Sequence, residues 1–299
     1  MGTLNDKPEL AEAIIRCERG QVRSKDGTPI GYRQLGSGPG LVILHGAMES
    51  STSHLELAAM LAASYRVIMP DRRGRGSSGP YRSDTVAAAE LEDLEALLSA
   101  TGARFFFGVS AGATIGLHAA RSLPGIDKAA LYEPALSIDG SLPAGFLARF
   151  DREMASGRVA AALVTGMKGA RMGPPVFNLL PRGLLEGLTK AAMKKEDRSA
   201  DPGTVTMRQL APTLHYDFRL VLDSEAALGS FAEIRRPVLL LGGSDSPAYL
   251  KTALARLEAV LPQLAGRVEF PGLGHGGSGN ADRGGRPAVV AAELARFFV

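Results

Sequence analysis

The 299-residue sequence predicts an α/β fold, with a mostly parallel sheet of about eight strands, helices on both faces and one long helical insertion after the sixth strand. Three observations lead there. Short apolar runs alternate with segments of helical periodicity, the pattern of a parallel sheet whose strands are buried on both faces. The run Phe105-Phe106-Phe107 breaks into Gly108-Val109-Ser110-Ala111-Gly112 and resumes as an apolar, helix-compatible segment through Ala120. Residues 137–232 show no such alternation, and that length is far beyond an ordinary connection.

In chain order, residues 1–20 read as a polar arm. Gln21 to Ser24 and Ile30 to Leu35, around Lys25-Asp26-Gly27-Thr28-Pro29, read as a β-hairpin. Leu41 to Leu44 is a short apolar strand ending at His45-Gly46-Ala47, and the helix after it places Leu57, Met60 and Leu61 on one face. Arg66 to Met69 is another buried strand, closed by a glycine-punctuated loop from Pro70 to Gly79. The arginines of that loop, Arg72, Arg73 and Arg75, are better explained by ties within the structure, with Asp71 and Arg72 holding the turn, than by phosphate binding. A helix from about Asp84 to Ala100, with Leu91, Leu94 and Leu98 on one stripe, ends at Gly102 as C-cap.

Lys128 to Tyr132 is the sixth strand and runs into Glu133-Pro134. The insertion follows, rich in Leu, Met, Ala and Gly and broken at Pro174-Pro175. Pro237 to Leu241 is the seventh strand, followed by Gly242-Gly243-Ser244-Asp245. Ser246 and Pro247 then read as the N-cap and first residue of a helix burying Leu250, Leu254, Leu257 and Leu261. Arg267 to Phe270 is the last strand, leading to Gly274-His275-Gly276-Gly277 and a terminal helix from about Pro287. The division expected is an arm at 1–20, a core of 21–136 with 233–299, and a helical lid at 137–232.

A net charge of +3 with near-neutral hydropathy gives no uniform field, so neither nucleic acid nor a membrane surface is an expected partner. The N-terminal segment carries acids and no apolar core, against a signal peptide, and Asp6 stands where a myristoylation signal needs Ser or Thr. The lone Cys17 forms no internal disulfide and lies in no metal-ligand spacing. A cytoplasmic protein without metal or organic cofactor is the expectation.

Ser110 carries the chemistry. A strand reversing sharply into a helix forces its apex residue into a strained conformation and leaves no room for side chains two positions away on either side, which explains Gly108 and Gly112. The serine then sits at a helix N-terminus, where N–H groups favour a developing anion. A hydroxyl needs a base near its working pKa, usually an imidazole, and glycine-flanked His275 after the last strand is the candidate. His45, His54, His118 and His215 read as structural.

The series His45-Gly46, Asp71-x-Arg73-Gly74-x-Gly76-x-Ser78, Gly108-x-Ser110-x-Gly112, Gly242-x-x-Asp245 and Gly274-His275 resembles the α/β-hydrolase family from about residue 21 onward. The resemblance implies that backbone N–H groups of Ala47 and Ala111 form an oxyanion hole. It also implies a carboxylate to orient His275, and two positions compete. Asp245 follows the seventh strand, where most members place their acid, and is favoured. Glu133 follows the sixth, a position used by a minority that includes enzymes similar to zearalenone lactonase. Ser110 argues against the haloalkane dehalogenases and epoxide hydrolases of the family, which attack with a carboxylate. Prolyl aminopeptidases carry Trp after the serine, and this chain has no Trp.

The expected function is a serine hydrolase cleaving a carboxylic ester or lactone of a small, mainly apolar molecule through an acyl-enzyme. Met154, Met167, Met172, Phe177, Leu179 and Leu180 of the insertion suggest an apolar acyl or alcohol group. The rivals are carbon–carbon bond hydrolysis or lyase chemistry on the same residues, and a ligand-binding receptor without turnover. The sequence leaves oligomeric state open.

Overall fold

The computed structural model describes residues 17–82, 85–141, 145–170, 180–200 and 204–299. Its sheet has eight strands: β1 (Glu18–Arg23), β2 (Pro29–Leu35), β3 (Gly40–Leu44), β4 (Arg66–Pro70), β5 (Phe105–Val109), β6 (Lys128–Tyr132), β7 (Val238–Gly243) and β8 (Leu264–Phe270). Their spatial order is β1-β2-β4-β3-β5-β6-β7-β8. The pairs β1–β2 and β2–β4 are antiparallel and every other pair is parallel.

Alternation along the central strands explains why they read as unbroken apolar runs. In β3, Val42 and Leu44 point into one hydrophobic cluster while Leu41 and Ile43 point into another on the opposite face. On the first face lie α2 (Val86–Thr101), α3 (Ala111–Ser122) and α9 (Ala248–Val260). On the second lie α1 (Leu55–Leu61) and α10 (Pro287–Phe297). In α9, Leu250, Leu254 and Leu257 are buried, as is Leu261 just past its end, matching the sequence stripe. In α1, Leu57 and Leu61 are fully covered while Met60 is only half-buried.

Some boundaries differ from the sequence reading. The hairpin begins at Glu18, because three further residues pair with Gln34, Arg33 and Tyr32, and so part of the expected arm belongs to the sheet. The last strand begins at Leu264, since β7 and β8 go on pairing across a bulge that shifts the register between Val238 and Leu239 and that periodicity does not show. Gly102 caps α2 in the left-handed conformation (φ 63°), donating to the Leu98 carbonyl. Ser246 caps nothing: α9 starts at Ala248 with Pro247 as N-cap, and Ser246 Oγ is buried without a hydrogen-bond partner among the described residues.

Between β6 and β7 the chain forms α4 (Gly145–Ala155), α5 (Val159–Gly169), α6 (Arg182–Ser199), α7 (Met207–Leu210) and α8 (Leu214–Ala227). Phe150, Ala162, Leu214 and Phe218 form a third cluster that joins α4, α5 and α8. Pro174 and Pro175, with Met172, Phe177 and Leu179, lie outside the described residues, as do Asp6 and Asp84.

The arginine loop after β4 ties this insertion to the core. Arg72 donates to Glu90 of α2 (2.9 and 2.7 Å) and to Asp217 of α8 (2.8 Å), while Arg75 donates to the other Asp217 oxygen at 2.5 Å. Arg73 binds Asp93 with both prongs of its guanidinium at 2.7 Å and reaches Asp26. All three arginines are fully buried. Burial opposes the Arg72 charge, but the Glu90 and Asp217 carboxylates raise its pKa well above the ordinary value. Asp217 is likewise opposed by burial, yet the Arg75 and Arg72 guanidiniums hold it below the usual carboxylate range. Asp71 closes its own turn through Ser51 N, Ser77 N and Ser77 Oγ. The Arg72 side chain therefore reaches outward to two helices, while its carbonyl closes the turn by accepting from Arg75 N (3.2 Å).

Candidate active site

Ser110, Glu133 and His275 follow β5, β6 and β8, so all three sit beyond the carboxyl edge of the sheet, where ligands of parallel α/β folds bind. Ser110 has φ 54° and ψ −118°, a conformation that L-residues rarely adopt. The turn is held on both sides, because Ser110 N donates to the Tyr132 carbonyl (2.9 Å) and Ser110 O accepts from Thr114 N (3.0 Å). The flanking glycines are sterically required. A Cβ on Gly112 would drive into the Leu44 carbonyl and lie 2.6 Å from that of His45, and one on Gly108 would lie 2.6 Å from the Gly112 carbonyl.

His45 shapes the neighbouring turn. The Arg72 backbone N–H donates to His45 Nε2 (3.2 Å), which places the ring proton on Nδ1, 2.9 Å from the Gly46 carbonyl. That is a neutral imidazole. Burial, with the nearby Arg75 and Arg72 charges, lowers its pKa well below the ordinary value. Gly46 N donates to Glu49 Oε2 (2.6 Å), and Met48 takes φ 56° as the chain turns. No described group accepts from the N–H of Ala47 or of Ala111. Both residues line the same cavity as Ser110.

Of the two competing carboxylates, Glu133 is the one that meets His275. Its Oε2 lies 2.6 Å from His275 Nδ1, and its Oε1 accepts from Gly243 N at 2.7 Å. A carboxylate accepts, so His275 Nδ1 carries the proton of this hydrogen bond. Glu133 is wholly buried and has φ 47°, another strained residue, which turns its side chain toward the end of β7. Asp245, the position favoured from the sequence, makes no such contact with His275. Asp245 is exposed, its carboxylate accepts from the adjacent Ser244 Oγ, and only its backbone serves the His275 loop, with N–H donated to the Leu273 carbonyl at 2.8 Å. Gly242 and Gly243 answer to packing at the end of β7, against Leu254, Glu133 and Leu273. A Cβ on Gly242 would lie 3.1 Å from Glu133 Oε1, and one on Gly243 would overlap the Leu273 carbonyl.

Sequence reasoning missed Tyr132, whose hydroxyl donates to the Gly274 carbonyl (2.8 Å) and fixes the loop beside His275. It also missed Tyr249 at the cavity wall, where burial and the Glu133 charge raise the phenol above its ordinary pKa and keep it protonated. The only signal for Tyr132 was its place one residue before Glu133. The remaining histidines are structural in geometry. His54 Nε2 lies 3.3 Å from Ser278 Oγ, His118 packs edge-on against Phe231, and His215 Nδ1 is 2.8 Å from Asp151 Oδ1.

The cavity over Ser110 has a volume of about 380 Å³. Phe146, Leu163, Met167, Leu214, Phe218, Val221 and Leu222 from the insertion close it, together with Ala135 from the segment after β6. Of the apolar residues expected there, Met167 lines the cavity and Met154 packs into the cluster behind it, while Leu180 is half-buried and is not among the lining residues.

The chain belongs to the α/β-hydrolase family, whose family model matches residues 41–293. Among solved structures, an α/β hydrolase from Sphaerobacter thermophilus is similar with a TM-score of 0.75 and 31% identity, covering 94% of this chain and all of that one. Among curated proteins, the 3-hydroxybutyrate-oligomer hydrolase of Cupriavidus necator is 26% identical over 262 residues, 79% of this chain and 82% of that protein. An uncharacterized protein of Mycobacterium tuberculosis is 37% identical over 79 residues, and this match spans only 23% of its length and 26% of this chain.

Proposed function

We propose that this protein is a serine hydrolase acting on a carboxylic ester or lactone of a small, mainly apolar molecule through an acyl-enzyme. Ser110 on a strained turn, opening into an apolar cavity beside the Ala47 and Ala111 N–H groups, is the observation that carries the reading. In this mechanism Ser110 Oγ attacks the carbonyl carbon while His275 takes its proton, and Glu133 holds the ring tautomer and stabilises the imidazolium. The Ala47 and Ala111 N–H groups receive the tetrahedral oxyanion, an interaction for which losing one donor costs about a hundredfold to a thousandfold in rate. His275 then protonates the leaving alcohol, and water activated by the same imidazole releases the acid.

The lining supports an uncharged acyl or alcohol group, because the carboxylate of Asp217, the one acidic residue among the lining residues, is already bound by two arginines. The helices between β6 and β7 act as the lid in this reading, with 137–232 as the lid segment. The relative named for 3-hydroxybutyrate oligomers, which are themselves esters, supports ester over carbon–carbon cleavage.

The test is turnover by purified protein of p-nitrophenyl esters of graded acyl length, a lactone panel and 3-hydroxybutyrate oligomers, with acid and alcohol products quantified. Hydrolysis lost in Ser110→Ala is expected. Inactivity of folded protein on every substrate would overturn the proposal.

A further inference from the structure

A second cavity, of about 500 Å³, lies between the β1–β2 edge, the loops after β3 and β4, and the start of α7. Its lining is polar and rich in donors. Arg19 and Arg33 are direct cross-strand partners in the β1–β2 register, so two guanidiniums stand opposite one another on a single face. Like charges placed that way repel. Neither has a carboxylate partner among the described residues, in contrast to Arg72, Arg73 and Arg75, each of which has one. Arg33 is half-buried and is held by Nε on Ser51 Oγ at 3.2 Å.

The other polar groups add to the imbalance. Asp71 is the one acid in the lining, and both of its oxygens are taken, by Ser51 N and by Ser77 N and Oγ. Gln209 Oε1 accepts from Thr206 N, leaving its NH2 as the donating end. A cavity with two opposed cations, a spare amide donor and a saturated acid is built for an anion. Guanidinium forks match phosphate oxygens two at a time, and a single tetrahedral dianion can engage both arginines where separated carboxylates would have to straddle them.

We propose that this cavity is a binding site for a small phosphate monoester, with the phosphate between Arg19 and Arg33 and the hydroxylated remainder toward Thr52 and Gln209. The volume exceeds what bare phosphate fills, so an organic phosphate binds more tightly than inorganic phosphate. Titration calorimetry of the full chain with glucose 6-phosphate, inorganic phosphate and succinate, at matched ionic strength, tests it. The expected result is saturable binding in that order, with succinate silent. Arg33→Gln and Arg19→Gln each weaken glucose 6-phosphate about tenfold or more, as loss of a charge-assisted hydrogen bond implies. Turnover at Ser110 stays unchanged in both variants. If Arg33→Gln does not fold, exposed Arg19 carries the test alone. Absence of saturable binding, binding unchanged in the variants, or succinate binding as well as the phosphates would each overturn the site.

Discussion

At the scale of single residues, the activation of Ser110 turns on which carboxylate meets His275. Glu133 is buried with both oxygens engaged, whereas Asp245 faces solvent. Glu133→Gln is therefore expected to reduce kcat/KM by about a thousandfold to ten-thousandfold, because an amide in place of the carboxylate leaves the wrong imidazole tautomer and an unstabilised imidazolium. Asp245→Asn should stay within a few-fold of wild type. Steady-state kinetics on one p-nitrophenyl ester compares the two, and equal losses would remove Glu133 from its role. Ser110 and its glycines were legible because the Gly108-x-Ser110-x-Gly112 spacing encodes a steric necessity that survives as sequence. Which carboxylate meets His275 was not legible, because that depends on where a side chain turns after the strand ends. That turn is set by the positive φ of Glu133 and by the space Gly242 leaves for it.

At the scale of elements, strands and helices follow from alternation and periodicity, and the exceptions have local causes. Pairing partners extended β1 and β8 beyond their apolar runs, and Pro247 took the cap that Ser246 seemed to offer. Gly243 belongs to this scale, since it lets the loop after β8 lie against the end of β7. Gly243→Ala should push the Leu273–His275 backbone aside and lower kcat by tenfold or more with the fold intact, as read by kinetics alongside circular dichroism. An unchanged kcat would mean that the loop adjusts without moving His275. The insertion was legible in its length and in the loss of strand–helix alternation. Its anchoring was not, because Asp217 lies far along the chain from Arg72 and Arg75 and nothing in spacing announces the pairing. Asp217→Ala leaves two buried guanidiniums short of a partner and is expected to cost about 3–5 kcal/mol in urea unfolding. A loss below about 1 kcal/mol would show that water reaches those arginines.

At the scale of the whole molecule, buried His45 and His54 and half-buried His118 each make stability fall in acid. Burial lowers the pKa of His45, His54 and His118, the last from 6.5 to about 4. Lowered values mean that the folded state stays neutral while the unfolded chain takes up protons below about 6.5, so unfolding is favoured as pH falls and the stability is complete above that value. Unfolding free energy should fall by up to about 1.4 kcal/mol per pH unit for each such histidine. For His118 the loss runs from about 6.5 down to about 4. Urea titrations at stepped pH measure it, and His118→Phe, which keeps an aromatic ring against Phe231, should flatten the slope. A pH-independent midpoint across that window would contradict the assignment.

Labelling with a fluorophosphonate probe followed by peptide mass mapping tests whether Ser110 is a nucleophile activated by the His275–Glu133 pair. One adduct is expected, on Ser110, absent in Ser110→Ala, formed far more slowly in Glu133→Gln and at the wild-type rate in Asp245→Asn. No adduct on the folded wild type, or slowing in Asp245→Asn instead of Glu133→Gln, would contradict it.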